Sequence, residues 1–87
     1  MCGSSARYRG TTIDLDVKNA DIHDLFRLLA DTGRVNIVVS DKVSGRVTLK
    51  LKRVPWDQVA CTVAATQQLQ ITIDRNVILV LPQPQTH

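Results

Sequence analysis

Between Val47 and Val59 the chain changes its hydrophobic period with no linker in between. Val47, Leu49 and Leu51 alternate with Thr48, Lys50 and Lys52, the pattern of a strand with one buried face. Val54-Pro55-Trp56 breaks that alternation, and Val59, Ala60, Val63 and Ala64 then recur at helical spacing. A strand delivered straight into a helix must share one core with it, because each element has an apolar side that only a packed layer can cover. The chain has 87 residues, 44% of them hydrophobic and 22% charged, which is enough for one ordinary globular domain. A domain of this size buries only about 60–65% of the surface its unfolded chain exposes, so each patterned face matters.

The same change of period occurs earlier. Thr12 to Val17 alternates, with Ile13, Leu15 and Val17 on one side and Thr12, Asp14 and Asp16 on the other. Ile22, Leu25, Phe26, Leu28 and Leu29 then predict a helix over about Asp21 to Thr32. Asn19 or Asp21 can cap its start, Asp21 and Asp24 suit the positive end of its dipole, and Gly33 is placed for a left-handed C-terminal cap. Val35 to Val39 predicts a short buried strand, and "SDKVSG" is a connector with turn residues at both ends. Six linker residues exceed the tightest hairpin, so pairing of the second and third strands is not assumed. The second helix is expected from near Pro55 to Gln67 or Gln68. Strands Gln70 to Ile73 and Val77 to Leu81 close the chain, joined by a tight turn at Asp74-Arg75-Asn76 in which Asn76 can take positive φ. The order is βαββαββ, an α+β domain over residues 12–82.

At the joint, Pro55 suits the first helical turn, where its missing N–H would lack a partner, and it sets the angle between strand and helix. Val54 and Val59 can close a hydrophobic staple. Trp56, the only tryptophan, then lies where it can cover one end of the core.

Residues 1–11 are small, polar and aperiodic, and read as a disordered arm or expression remnant; residues 83–87 read as a frayed tail. No apolar run reaches the length of a membrane span, and Met1 to Gly10 lacks the apolar core of a signal peptide, so a protein working outside the cytoplasm would be represented here by a mature fragment. Cys2 lies in the arm and Cys61 in the second helix. Neither a disulfide framework nor a metal site follows from two such cysteines, and Cys61 reads as a small helix residue.

Catalytic chemistry finds little support. His23, on the polar side of the first helix, and His87, at the terminus, are the only histidines, and His23 reads as a solvated helix residue. The sequence carries no HExxH or paired CxxC motif, and its four glycines are too dispersed to cradle a phosphate. No catalytic, cofactor or metal residue is therefore assigned, and no small-molecule ligand is expected. The net charge is +3, and Lys42, Arg46, Lys50, Lys52 and Arg53 fall close together. A nucleic-acid module on a sheet would add stacking aromatics, and Trp56, Phe26 and Tyr8 all lie off that face. A solvated strand face is the simpler reading, with lysines guarding an edge against stray pairing.

The residues from Thr12 to Pro82 resemble the N0 domain of bacterial secretins, also described as the secretin and TonB short N-terminal domain. The resemblance is carried by "IDLDVKNADIHDLFRLLADTGRVNIVVSDKVSGRVTLKLKRVPWDQV" and by "NVILVLP", and is greatest to the type IV pilus and DNA-uptake branch. This copy departs from the family in helix two, where Ala60, Thr62, Ala64 and Gln68 replace larger apolar residues and a glycine. The resemblance implies two helices packed between a two-stranded sheet of strands one and three and a mixed three-stranded sheet of strands two, four and five. It also implies a non-enzymatic periplasmic interaction domain of an outer-membrane channel. Its partners would be an inner-membrane-anchored periplasmic protein or lipoprotein of the machinery and neighbouring secretin subunits. A signalling domain of a TonB-dependent transducer that contacts an anti-sigma regulator is similar in fold, although such domains generally lack "VPWDQ". A basic nucleic-acid module is the alternative from another class.

If strands one and three share a sheet, Asp14, Asp16, Lys50 and Lys52 point outward together. They are the expected partner-docking residues, on a sheet whose edges could also accept a strand. Gly33, Pro55 and Trp56 are the expected structural residues.

Overall fold

The computed structural model describes Cys2 and residues 9–83. Its elements are β1 (Thr12–Asp21), α1 (Ile22–Gly33), β2 (Asn36–Val39), β3 (Arg46–Pro55), α2 (Trp56–Thr66), β4 (Leu69–Asp74) and β5 (Val77–Pro82). β1 and β3 form an antiparallel two-stranded sheet; β2, β5 and β4 form a mixed sheet with β5 at its centre. The two helices lie between the sheets. α1 packs on β1 and β2, and α2 packs on β3 and β4, so each helix touches one strand of each sheet. The α+β architecture implied by the family resemblance is the one observed. The expected arm and tail fall mostly on residues 1, 3–8 and 84–87, outside the described residues.

β1 and β3 are both longer than their alternation predicts, because each continues through a bulge. The register runs Ile13 opposite Val54, then Leu15 opposite Leu51, so Lys52 and Arg53 face the single residue Asp14. It also runs Val17 opposite Leu49, then Ala20 opposite Val47, so Lys18 and Asn19 face Thr48. The second residue of each bulge is left-handed, with φ 56° at Asn19 and 56° at Arg53. The two bulges are satisfied in the same way. Asn19 N–H donates to Thr48 Oγ1 at 3.1 Å, and Arg53 N–H donates to Asp14 Oδ1 at 2.8 Å. A bulge inserts one residue and so restores the inward face: Ala20 and Val54 turn towards the core where strict alternation would have placed Asn19 and Arg53 there.

α1 begins with Asp21 as N-cap, its carboxylate accepting His23 N–H at 2.8 Å. Ile22, Leu25, Phe26 and Leu29 are buried, a stripe at spacings of three and four. Leu28, expected in that stripe, is 41% exposed because six residues from Ile22 turn it to the far flank. His23, expected to be solvated, is half-buried, and its Nε2 lies 2.7 Å from the carbonyl oxygen of Val43. That bond ties the β2–β3 connector to α1 and helps seat Val43, which is 2% exposed.

Three further expectations are corrected. The left-handed cap of α1 is Arg34 (φ 54°), one residue after Gly33. The left-handed residue of the β4–β5 turn is Arg75 (φ 57°) in place of Asn76. Cys61 is bonded to Cys2 in a disulfide across 59 positions, a link that spacing alone did not suggest.

At Gly33 the backbone is closely approached by the Trp56 ring. A Cβ there would lie 2.7 Å from Cδ2 and 2.7 Å from Cζ2 of Trp56. Alanine gains about 1 kcal/mol over glycine inside a helix, but overpacking against a buried ring costs about 1–3 kcal/mol. Gly33→Ala is therefore expected to lower stability by up to about 2 kcal/mol in urea unfolding. A more stable variant would show that the ring can move aside.

Candidate functional site

The start of α2 brings together residues from distant parts of the chain. Pro55 is the N-cap residue, not the first helical residue, and has no side chain with which to cap. Other groups take over that role. The Asp57 carboxylate accepts N–H groups from Arg9 (3.2 Å), Gly10 (3.3 Å) and Gln58 (3.1 Å), and Trp56 N–H donates to the Thr11 carbonyl at 3.0 Å. A carboxylate in the first turn also suits the positive end of the helix dipole. Val54 and Val59 occupy the two staple positions, and both pack with the core. Trp56 is 9% exposed and lies against the backbones of Gly10 and Gly33. Its ring also forms one wall of a cleft of about 350 Å³, with Val35, Ile73 and Ile78 as the other apolar walls.

The expected docking residues lie on the outer face of the β1–β3 sheet, and all four are exposed. Asp16 and Lys50 are direct cross-strand neighbours. Asp14 is separated from them in role, since its carboxylate satisfies the Arg53 bulge. Lys52 belongs to the same bulge. The recorded ion pair among the described residues is Arg27 with Asp24 at 3.8 Å on α1, so Asp16, Lys50 and Lys52 are not held by one another. Lys18, which the sequence reading did not select, also points outward from β1. This face carries both signs of charge, whereas a phosphate-binding face is enriched in one. Each strand of this sheet carries a bulge and outward charged side chains, features that disfavour addition of a further strand at its edges. Among the described residues, no three His, Cys or Asp side chains converge as metal ligands.

No protein-family model matches the chain. The fimbrial assembly protein PilQ of Pseudomonas aeruginosa is 39% identical over 75 residues, which is 86% of this chain and 10% of that protein. The cryo-electron microscopy structure of the type IV competence pilus secretin PilQ of Vibrio cholerae is 37% identical, with a TM-score of 0.70 over 78% of this chain and 16% of that one. The N0 domain of the type II secretin of enterotoxigenic Escherichia coli shares the fold at 14% identity, with a TM-score of 0.75 over 84% of this chain and 96% of that one. The chain thus spans about a tenth of the length of the curated relatives it matches and nearly the whole of an isolated N0 domain.

Proposed function

Because the chain belongs to the secretin N0 domains, in the branch of the type IV pilus and competence secretins, we propose that it is a non-catalytic periplasmic docking module of an outer-membrane channel. Residues 12–82 form the module, and its partner is an inner-membrane-anchored periplasmic protein or lipoprotein of the pilus machinery. The observation that carries the docking surface is the outer face of β1–β3. It is a two-stranded sheet with exposed, unpaired Asp16, Lys50 and Lys52 and bulges that block its edges. Mixed charges of this kind set orientation and on-rate more than raw affinity. The Cys2–Cys61 disulfide supports periplasmic placement, since such bonds persist in oxidising compartments.

The test is the double reversal Lys50→Glu with Lys52→Glu, measured by calorimetry against the pilus lipoprotein. The fold should survive, because both side chains are solvated. Affinity should fall roughly tenfold at low salt, with a weaker dependence on ionic strength. Unchanged affinity in a folded variant would move the docking site off this sheet.

A further inference from the structure

The cleft beside Trp56 opens where the core is unfinished. The register of β4 with β5 puts Leu69, Ile71 and Ile73 on the inward side, opposite Pro82, Val80 and Ile78. Leu69 is buried and Ile71 packs against the core, but Ile73 is 48% exposed. α2 leads into β4 through Gln67 and Gln68 alone, so the strand doubles back along the helix and its last residues come beside the helix start. Trp56 and Asp57 are the first helical residues, and Ile73 lies where the helical cover ends. With Val35 and Ile78, these groups enclose about 350 Å³, at the small end of the range for ligand sites.

The polar groups of the cleft are Asp57, Arg75 and Asn76. Asp57 already accepts the N–H groups of Arg9, Gly10 and Gln58, and a carboxylate has only about four acceptor sites. Arg75 has no ion-pair partner among the described residues. It also holds a left-handed turn position (φ 57°) that an asparagine, such as its neighbour Asn76, takes at less cost. The charge left for a ligand is therefore positive. An occupant must bring an apolar body for the walls and a carboxylate for Arg75, whose planar guanidinium can hold it through two parallel N–H···O bonds. The indole wall favours an aromatic ring, which it can meet edge to face. The Asn76 amide offers both a donor and an acceptor, which a peptide backbone can use and an acyl chain cannot.

We propose that this cleft docks an aromatic–acidic segment of a partner protein: a Phe or Tyr ring enters beside Trp56 and Ile73, and the carboxylate of an adjacent Asp or Glu pairs with Arg75. The site lies between α2 and the mixed sheet, in a different layer from the outer face of β1–β3. It stands independently of the secretin assignment and of the docking surface proposed above.

Trp56 is the only tryptophan, so its fluorescence reports on the cleft directly. The probes are the blocked peptides acetyl-Gly-Phe-Asp-amide, acetyl-Gly-Phe-Asn-amide and acetyl-Gly-Ala-Asp-amide. Each is titrated into the 87-residue chain while amide NMR maps the response. The first should bind saturably in the millimolar range, shifting the Val35, Ile73 and Asn76 amides and the Trp56 indole. The other two should bind more weakly, by about fivefold. Arg75→Gln, at an exposed position, should keep the unfolding midpoint and bind the Asp and Asn peptides alike. No saturable binding, equal binding of those two peptides by the parent, or shifts that map to another face would each overturn the proposal. Shifts at the same residues on raising the protein concentration alone would overturn it in favour of a second copy. Tighter binding of decanoate than of the peptide would overturn it in favour of a lipid.

Discussion

Replacing Trp56 with alanine is expected to cost the domain about 3–5 kcal/mol. The ring is 9% exposed and is flanked by Gly10 and Gly33, which have no side chains to move into the space it leaves. The cavity would thus collapse poorly, and cost rises with the volume left open. Small domains hold about 5–15 kcal/mol in total, so the variant should be partly unfolded at physiological temperature or close to it. At about 4 °C or more per kcal/mol for a chain of this length, the thermal midpoint should drop by about 12 °C or more. A midpoint within two or three degrees of the parent would mean that the ring contributes little to the core and is available to a partner.

Breaking the Cys2–Cys61 disulfide is expected to have an effect of similar size. The bond closes a loop of 59 residues, and the entropy it removes from the unfolded chain corresponds to about 4 kcal/mol. Cys2→Ser is the cleaner variant, because Cys61 is 8% exposed and a hydroxyl there would add a desolvation cost of its own. Urea unfolding of the oxidised parent, the reduced parent and Cys2→Ser should place the last two together and well below the first. Equal midpoints for all three would show that the bond adds nothing to stability. Because Asp57 and Trp56 also hold Arg9 to Thr11, a coupling between Cys2→Ser and Asp57→Ala larger than about 0.5 kcal/mol is expected in a double-mutant cycle.

The candidate docking face was legible only in part. Alternation placed Asp14, Asp16, Lys50 and Lys52 on outward sides of their strands, and the structure keeps all four exposed. The role of Asp14 was not legible, because it depends on a bulge in a strand far away in sequence, whose Arg53 N–H it accepts. A signal was present, however. Lys18-Asn19 and Lys52-Arg53 are polar doublets that interrupt otherwise strict alternation. In a strand with one buried face such a doublet means either an end or a bulge. Taken as ends, they gave strands too short by several residues. His23 was misjudged for a similar reason: its bond to the Val43 carbonyl depends on where the β2–β3 connector crosses α1, and no local pattern encodes that crossing.

By itself the sequence determined the kind and order of the elements and the inward sides of nearly all of them. Periodicity is a local property, and burial of one face follows from it within a few residues. It also determined the joint at Val54-Pro55-Trp56, where proline and a large ring leave the backbone few choices. Which strands pair followed from the family resemblance and not from any local pattern, and only the tertiary structure decided which residues take left-handed conformations and that Gly33 lies against the Trp56 ring while Arg34 takes the cap. It alone also brought Cys2 back to Cys61. These are contacts between segments tens of residues apart. Their register is selected by how well whole faces fit, a condition that no short stretch of sequence contains.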